Sequence, residues 1–430
     1  MTHPFADLRF HEVHRQRLVQ LVAEDLADAS AAPLAPYLGA TTVRAADGVV
    51  RAGLDLVHAA HDGHRVRLVA GSQELAARRA RLPVGATLGF ALCERHATAF
   101  VHRRGRWRPV LTAALDGPDP RDPAVLAGAQ WCEASPAEGE RRRGPFGAVG
   151  VRDPHLVTHA DGRAYVRGGR VFLTMTCAGP GGFRQAHWGV FALDPDRVDS
   201  LERVAAIYAR RDGLVLGDHA GHLVRDGDRW LVATSSWGDF SPQRGVHVRL
   251  ATSREDLLGG VHVLDSERVA LPVPAGTLGT WDPALLRDGD GWLVAHVEAE
   301  SLRPMRFRPA TARTDDAEPF AGLRRAAAVG EPGQTEGPLL VGRGGRASLL
   351  ASDGDRRAYV VADPWSGERL GALDAPYPSN IPHPQLVERE DGSWLMVTFD
   401  GTPLEPRRRR TGRRPLLGYG THGDLVVMRS

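Results

Sequence analysis

From Val151 onward, apolar runs and polar turns follow one repeating order. A polar or acidic residue leads into an apolar strand, a turn built on Asp-Gly or Gly-Gly follows, and a second apolar strand completes the unit. The order appears five times: VRDPHLV from Val151 with VFLTMT at 171–176, HAGHLV from His219 with RDGDRWLVAT, TWDPALL from Thr280 with RDGDGWLVAH, TEGPLLV from Thr335 with GRGGRASLLAS, and IPHPQLV from Ile381 with REDGSWLMVTFD. Aligned on the apolar pairs, the position ahead of the strand holds Asp153, Ala220, Asp282, Glu336 and His383, at steps of 67, 62, 54 and 47 residues. Repeats of this size, strand-rich and punctuated by tight turns, mark a β-propeller in which each unit is one four-stranded blade. The expected fold is therefore all-β, with a five-bladed propeller over residues 150–430. The innermost strand of a blade starts at the central axis, so the residues leading into it face an axial cavity. The final run, GDLVVMRS, is expected to pair back and close the ring, which removes exposed sheet edges.

Ahead of the repeats the pattern changes. AGLDLVHAAH, HRVRLVAG, ATLGFALCE, HATAFVHR and RWRPVLTAAL alternate apolar and polar residues between Gly, Pro and Asp-Gly signals, which predicts an antiparallel β-sandwich, jelly-roll-like, within residues 1–115. Val13, Leu18, Val19, Leu21, Val22 and Leu26 recur at helical spacing and predict a short N-terminal helix. Residues 116–149 are rich in Pro, Asp, Glu, Gly and Arg and read as a linker or long loop, with room for one helical turn around Ala124 to Ala129. Trp230, Trp292 and Trp394 recur at the start of the second strand, a register that predicts packing between blades.

Composition narrows the function. The 430 residues carry a formal net charge of +2, so no strong field points to nucleic acid or a membrane surface. The Arg-rich run at 405–415 has no interleaved aromatics and reads as a solvated loop. No Lys occurs, which excludes Schiff-base chemistry. Cys93, Cys132 and Cys177 show no CxxC spacing and predict neither a disulfide framework nor a zinc site. The first residues lack the apolar core of a secretory signal and no apolar run has membrane-span length, so the expected location is cytoplasmic.

The chemistry lies at the axis. An Asp before Pro is by itself an ordinary turn or cap residue. Here carboxylates recur at one register of the repeat, as Asp153, Asp282 and Glu336, and three such groups brought together without paired cations are costly. Glycosidic cleavage uses such a set: one carboxyl group with a raised pKa protonates the leaving oxygen, and another acts on water or on the sugar. Asp218 beside His219 is the next carboxylate, two residues ahead of the aligned position. Trp281, Trp237, Trp188 and Phe183 are candidates to stack on a sugar face, His219 is a further candidate contact, and Arg152 adjoins Asp153.

The ordered set Asp153-Pro154, Asp282-Pro283 and Glu336-Gly337-Pro338 resembles the five-bladed glycoside hydrolases of family 43 and their relatives in families 32, 68 and 117. The resemblance covers roughly the C-terminal 280 residues. It implies Asp153 as general base, Asp282 as pKa modulator and orienter, and Glu336 as general acid, with inversion at the anomeric carbon. In retaining relatives the first Asp is a nucleophile. It also implies an axial His, met by His383, beside a structural calcium or water cluster; no other metal or organic cofactor is implied. Jelly-roll accessory domains occur beside such sugar-active propellers, though they more often follow the propeller. Blade two departs from the pattern with Gly217-Asp218-His219-Ala220. The implied partner is a pentofuranoside, xyloside or fructoside, as a small oligosaccharide or glycosylated metabolite. Two rivals stand beside this expectation: a biosynthetic or lyase-type enzyme of specialised metabolism on the same scaffold, and a non-catalytic sugar-binding propeller.

Overall fold

The computed structural model describes residues 3–27, 32–180, 183–343, 345–379, 381–402 and 423–430. The Arg-rich run at 405–415 and the side chain of Phe183 lie outside the described part.

Five sheets, each antiparallel along its four principal strands, form the five blades of a propeller. Blade one is built on Val151–Leu156, Arg170–Cys177, His187–Asp194 and Arg197–Arg211, and blade two on His219–Asp226, Arg229–Ser235, Val248–Ser253 and Glu267–Arg268. Blade three takes Gly279–Asp288, Gly291–Leu302, Met305–Thr314 and Arg324–Ala328, and blade four takes Thr335–Arg343, Arg346–Asp353, Ala358–Ala362 and Arg369–Ala372. Blade five holds Gln385–Glu388, Trp394–Asp400 and Asp424–Arg429, with His11–Arg17 as its outermost strand.

That outermost strand corrects the expected N-terminal helix. His11–Arg17 pairs antiparallel with Asp424–Arg429, and only a single 3-10 turn, Glu24–Leu26, follows it. The apolar spacing suggested a helical face, yet Val13 and Val19 are exposed. Tertiary pairing along a sheet edge overrides local periodicity, because the ladder satisfies the backbone of both partners at once. The ring thus closes with strands from both ends of the chain in one sheet.

Apolar clusters fill each gap between neighbouring blades. Phe172 and Trp188 meet Leu223 and Trp230 between blades one and two, Leu231 meets Trp292 between two and three, and Leu350 meets Trp394 between four and five. The repeated Trp230, Trp292 and Trp394 are all buried, as their register predicts. Arg225 and Arg287 cover the faces of Trp230 and Trp292 at 5.1 and 4.2 Å. Burying one such ring contributes about 3 kcal/mol.

The N-terminal part contains two sheets. Tyr37–Arg44, Thr87–Cys93, His96–Arg103 and Arg106–Ala114 lie in one, and Val50–Gly53, His58–His61, Arg65–Ala70 and Gln73–Arg79 in the other. Leu38, Leu88 and Phe90 from the first share one core with Val50, Val66 and Leu68 from the second. The stretch 116–149 is more ordered than a linker: Glu138–Pro145 is a strand beside Tyr37–Arg44, and Pro123–Ala127 is a helix capped by Asp122. Its Arg141-Arg142-Arg143 run disguised the strand. At a sheet edge, charged side chains remain in water while the backbone pairs.

Candidate active site

The bend that carries the axial residues is written into the backbone. In blades one to four the inner pairing shifts between Arg152 and His155, His219 and His222, Trp281 and Ala284, and Glu336 and Leu339. The residue inside each bulge has a left-handed backbone: Asp153 at φ 46°, Ala220 at 55°, Asp282 at 51° and Gly337 at 67°. Such bulges re-aim side chains. Asp tolerates the left-handed region better than most residues, and strained backbone of this kind clusters at working sites.

This geometry corrects the repeat alignment at Glu336. Gly337, not Glu336, occupies the position of Asp153 and Asp282, and Glu336 shares its position with Arg152, His219 and Trp281. His383 lies two residues ahead of Gln385, the first paired residue of its strand, and Asp153 and Asp282 lie two ahead of His155 and Ala284, where pairing resumes after the bulge. Two adjacent registers therefore supply the axial groups.

Asp153 and Asp282 flank His383, and Glu336 lies close enough for its charge and theirs to act on one another. His383 Nε2 lies 3.9 Å from Asp153 Oδ1 and 3.7 Å from Asp282 Oδ2. Asp282 Oδ2 accepts the Gly337 N–H at 3.1 Å, which ties blade three to the residue after Glu336. Glu336 Oε2 accepts the Trp281 Nε1–H at 3.2 Å. Burial, then the neighbouring Asp153 charge, pushes the Glu336 carboxyl up to about 7, against smaller downward pulls from Trp281 and Arg152. Burial, then Glu336 and Asp153, pushes Asp282 well above the ordinary carboxylate range. Burial holds His383 below its usual value, so its neutral form is favoured.

Cross-blade hydrogen bonds fix this arrangement. The Ser235 hydroxyl accepts the Asp282 N–H at 2.9 Å and donates to the Ala220 carbonyl at 2.6 Å. Deeper on the axis, His155 and His222 stack with ring centroids 4.0 Å apart. His222 Nδ1 accepts the Leu285 N–H at 3.1 Å, and burial lowers both imidazoles, His155 to about 4.

The other candidates divide. Trp281 is buried beside Trp237, with centroids 5.6 Å apart, and His219 stacks on Trp237 at 6.5 Å. Arg152 is half-buried, with its guanidinium 4.9 Å over the Phe399 ring, and its charge acts on both Glu336 and His383. Trp188 does not belong to the site: it is fully buried between blades one and two, because its place in the middle strand of blade one faces the neighbouring blade. Asp218 is engaged elsewhere, gripping Arg211 at 2.7 and 2.9 Å while Arg211 also holds Asp239 at 2.5 Å.

A calcium ion takes six to eight oxygen ligands. Among the described residues no group of three or more His, Cys, Asp or Glu side chains is arranged to hold a metal ion, and the oxygen donors facing His383 are Asp153 and Asp282. No helix among the described residues is long and apolar enough to cross a membrane.

No protein-family model matches the chain, and no curated protein matches it. Among solved structures, the chain is similar to a variant of a family-32 β-fructofuranosidase from Bombyx mori in complex with sucrose, at 18% identity over 65% of this chain and 60% of that one, with a TM-score of 0.44. It thus spans 60% of that relative's length. It is also similar to a thermostable family-43 glycoside hydrolase, at 14% identity over 66% of this chain and 89% of that one, TM-score 0.44. A third similar structure is an inulosucrase from Halalkalicoccus jeotgali, at 13% identity over 65% and 84% of the two chains, TM-score 0.47. The five-bladed ring itself is established by the strand pairing of this chain.

One residue beside the site gave no sequence signal. Glu94, in the turn between Thr87–Cys93 and His96–Arg103, is buried against Gly217 of blade two. A lone Glu at a hairpin turn reads as solvated, and only the packing of the N-terminal sheets on the propeller encloses it.

Proposed function

We propose that this chain is a glycoside hydrolase that cleaves a small oligosaccharide or glycosylated metabolite by carboxylate acid–base chemistry on the propeller axis. The observation that supports this reading is that carboxylates from three blades adjoin on the axis: Asp153 and Asp282 beside His383, and Glu336 next to the Gly337 amide that Asp282 holds. Glu336, lifted to about 7, holds a proton near neutral pH and delivers it to the departing glycosidic oxygen. Trp281 occupies Glu336 Oε2 as a donor, which favours Oε1 as the proton carrier. Asp153 has the more exposed side chain of the two aspartates, 14% against 7%, and is assigned to water as the base. Asp282 lies deeper, holds the Gly337 amide and keeps a carboxyl group beside the acid. Trp237, half-buried against Trp281, offers an apolar ring for the sugar.

The test is hydrolysis of a nitrophenyl glycoside panel covering arabinofuranoside, xyloside, fructoside analogues and galactoside, with wild type beside Glu336→Gln. Turnover by wild type that collapses in the variant supports the assignment. A folded wild type that turns over no glycoside would sink it.

A further inference from the structure

At Glu94 the N-terminal sheets meet Gly217, two residues ahead of His219. Glu94 sits in the turn that joins Cys93 to His96, with a left-handed backbone at φ 54°. Its Oε1 accepts the Tyr37 hydroxyl at 2.6 Å and the Gly217 N–H at 3.3 Å. Both residues are deeply buried, and Tyr37 stacks on Tyr208 of blade one with centroids 4.8 Å apart. Any Cβ on Gly217 would collide with the Tyr37 hydroxyl and with the Ala186 carbonyl, so only glycine lets the two units close on each other here.

Gly217 is held at both of its backbone polar groups. Its N–H goes to Glu94, and its carbonyl lies 2.8 Å from His219 Nδ1. His219 holds the register that Trp281 and Glu336 hold in blades three and four, and it lies close enough to feel the Asp153 charge. The next residue, Asp218, is fixed by Arg211 and by the Gly238 N–H at 3.0 Å. A continuous chain of contacts thus runs from Tyr37 through Glu94 and Gly217 to His219. Blade two has no carboxylate in its bulge, and the N-terminal unit, which also packs on blade one, holds the residue that leads into it.

We infer that Glu94 is a positioning residue for the axial site: held by Tyr37, it fixes the Gly217 peptide and through it the His219 imidazole, so that the N-terminal unit completes the substrate-binding wall of blade two. The inference rests on the axis being the working site. It assigns the N-terminal sheets a part in substrate binding rather than in the chemical step. The groups facing Glu94 are Tyr37, Cys93, Arg121 and Asp218, and none places a cation within hydrogen-bonding distance of it.

The experiment compares Glu94→Gln, Glu94→Ala, Tyr37→Phe, His219→Ala and the Glu94→Ala/His219→Ala double variant, each confirmed folded by thermal melting. With the nitrophenyl glycoside that wild type cleaves fastest, Glu94→Ala raises KM by about tenfold with a smaller change in kcat. Tyr37→Phe moves KM the same way. Glu94→Gln, which keeps the acceptor, restores KM to within about twofold of wild type. The double variant is no worse than His219→Ala alone, because both act through one imidazole. An unchanged KM in Glu94→Ala and Tyr37→Phe, or additive effects in the double variant, overturns the inference. Should wild type cleave no glycoside, the hydrolase reading fails by itself. Hydrogen exchange then decides: about tenfold faster exchange of the Gly217 amide in Glu94→Ala and Tyr37→Phe supports the brace, and unchanged exchange overturns it.

Discussion

Trp281 Nε1 donates to Glu336 Oε2 across the boundary between blades three and four, at 3.2 Å. The indole is buried and packs on Trp237 and Phe307, so the donor is held in place by its own surroundings. One buried side chain, fixed by its neighbours, therefore moderates the acid. The indole N–H stabilises the ionised carboxylate, in opposition to burial and Asp153, which raise the pKa to about 7.

Replacing Trp281 with Phe keeps an aromatic ring and deletes the donor. The Glu336 pKa then rises further, and the proton-bearing form survives to higher pH. The alkaline limb of the kcat/KM profile is expected to move up by roughly half to one pH unit. A limb that stays fixed, or moves down, would show that Glu336 is not the group titrating there.

Asp153→Asn has the opposite effect on the same carboxyl group. It removes the charge that, after burial, does most to lift Glu336. The residual alkaline limb is expected to shift to lower pH, while kcat falls by about 10² to 10⁴ with loss of the base. Steady-state kinetics across pH read both effects in one variant. Full activity with an unmoved profile would remove Asp153 from the chemistry.

The shared bulge allows a paired stability test in which one register gives opposite signs. Ala220 holds the left-handed position that Gly337 holds in blade four, at φ 55° and 67°. A left-handed backbone costs an alanine about 1 kcal/mol, so Ala220→Gly relieves strain, partly offset by the freer unfolded chain. Gly337→Ala adds that strain and drives a methyl into the His383 ring. Thermal melting is expected to show Ala220→Gly near or slightly above wild type, and Gly337→Ala below it by 2 kcal/mol or more, an estimate from backbone strain plus overpacking. Equal melting points would mean that the bulge carries no strain.

These residues also show what the sequence could reveal. Inner strands were legible because each couples a polar lead-in to an apolar run and a tight turn, and the buried Trp230, Trp292 and Trp394 repeat at one register. Asp153, Asp282 and Glu336 were legible as a set, but their register was not. The bulge is the same in blades one to four, but matching the apolar pair Leu339-Leu340 to Leu285-Leu286, when Leu339 stands where Ala284 does, aligned Glu336 falsely with Asp282; its counterpart is Trp281. Trp188 looked like a sugar platform because composition does not tell which face of a middle strand meets the neighbouring blade. The edge strands His11–Arg17 and Glu138–Pro145 are charged and half-exposed, which is how edges protect themselves and also why they read as helix and loop. Glu94 had no local mark at all, since its burial arises where two separately patterned units meet.

Glu94 gives the last expectation, and its sign follows from linkage. Burial, against weaker downward pulls from the Tyr37 and Gly217 hydrogen bonds, lifts its carboxyl from an ordinary 4.5 to about 8. Between those values the unfolded chain has released a proton that the folded chain keeps. The unfolded state then binds fewer protons, so stability falls as pH rises through this window and levels off above pH 8. Asp218 adds to the effect by repelling an ionised Glu94, while Arg121 opposes it. Glu94→Gln keeps the acceptor for Tyr37 and Gly217 but cannot ionise. The two proteins are expected to melt at similar temperatures near pH 4.5, with the Gln variant gaining steadily toward pH 8, to a difference on the order of 4 kcal/mol. Urea unfolding at a series of pH values measures this. If wild type were the more stable protein at pH 8, Glu94 would be ionised and well solvated in the folded state, and its burial between the two units would be disproved.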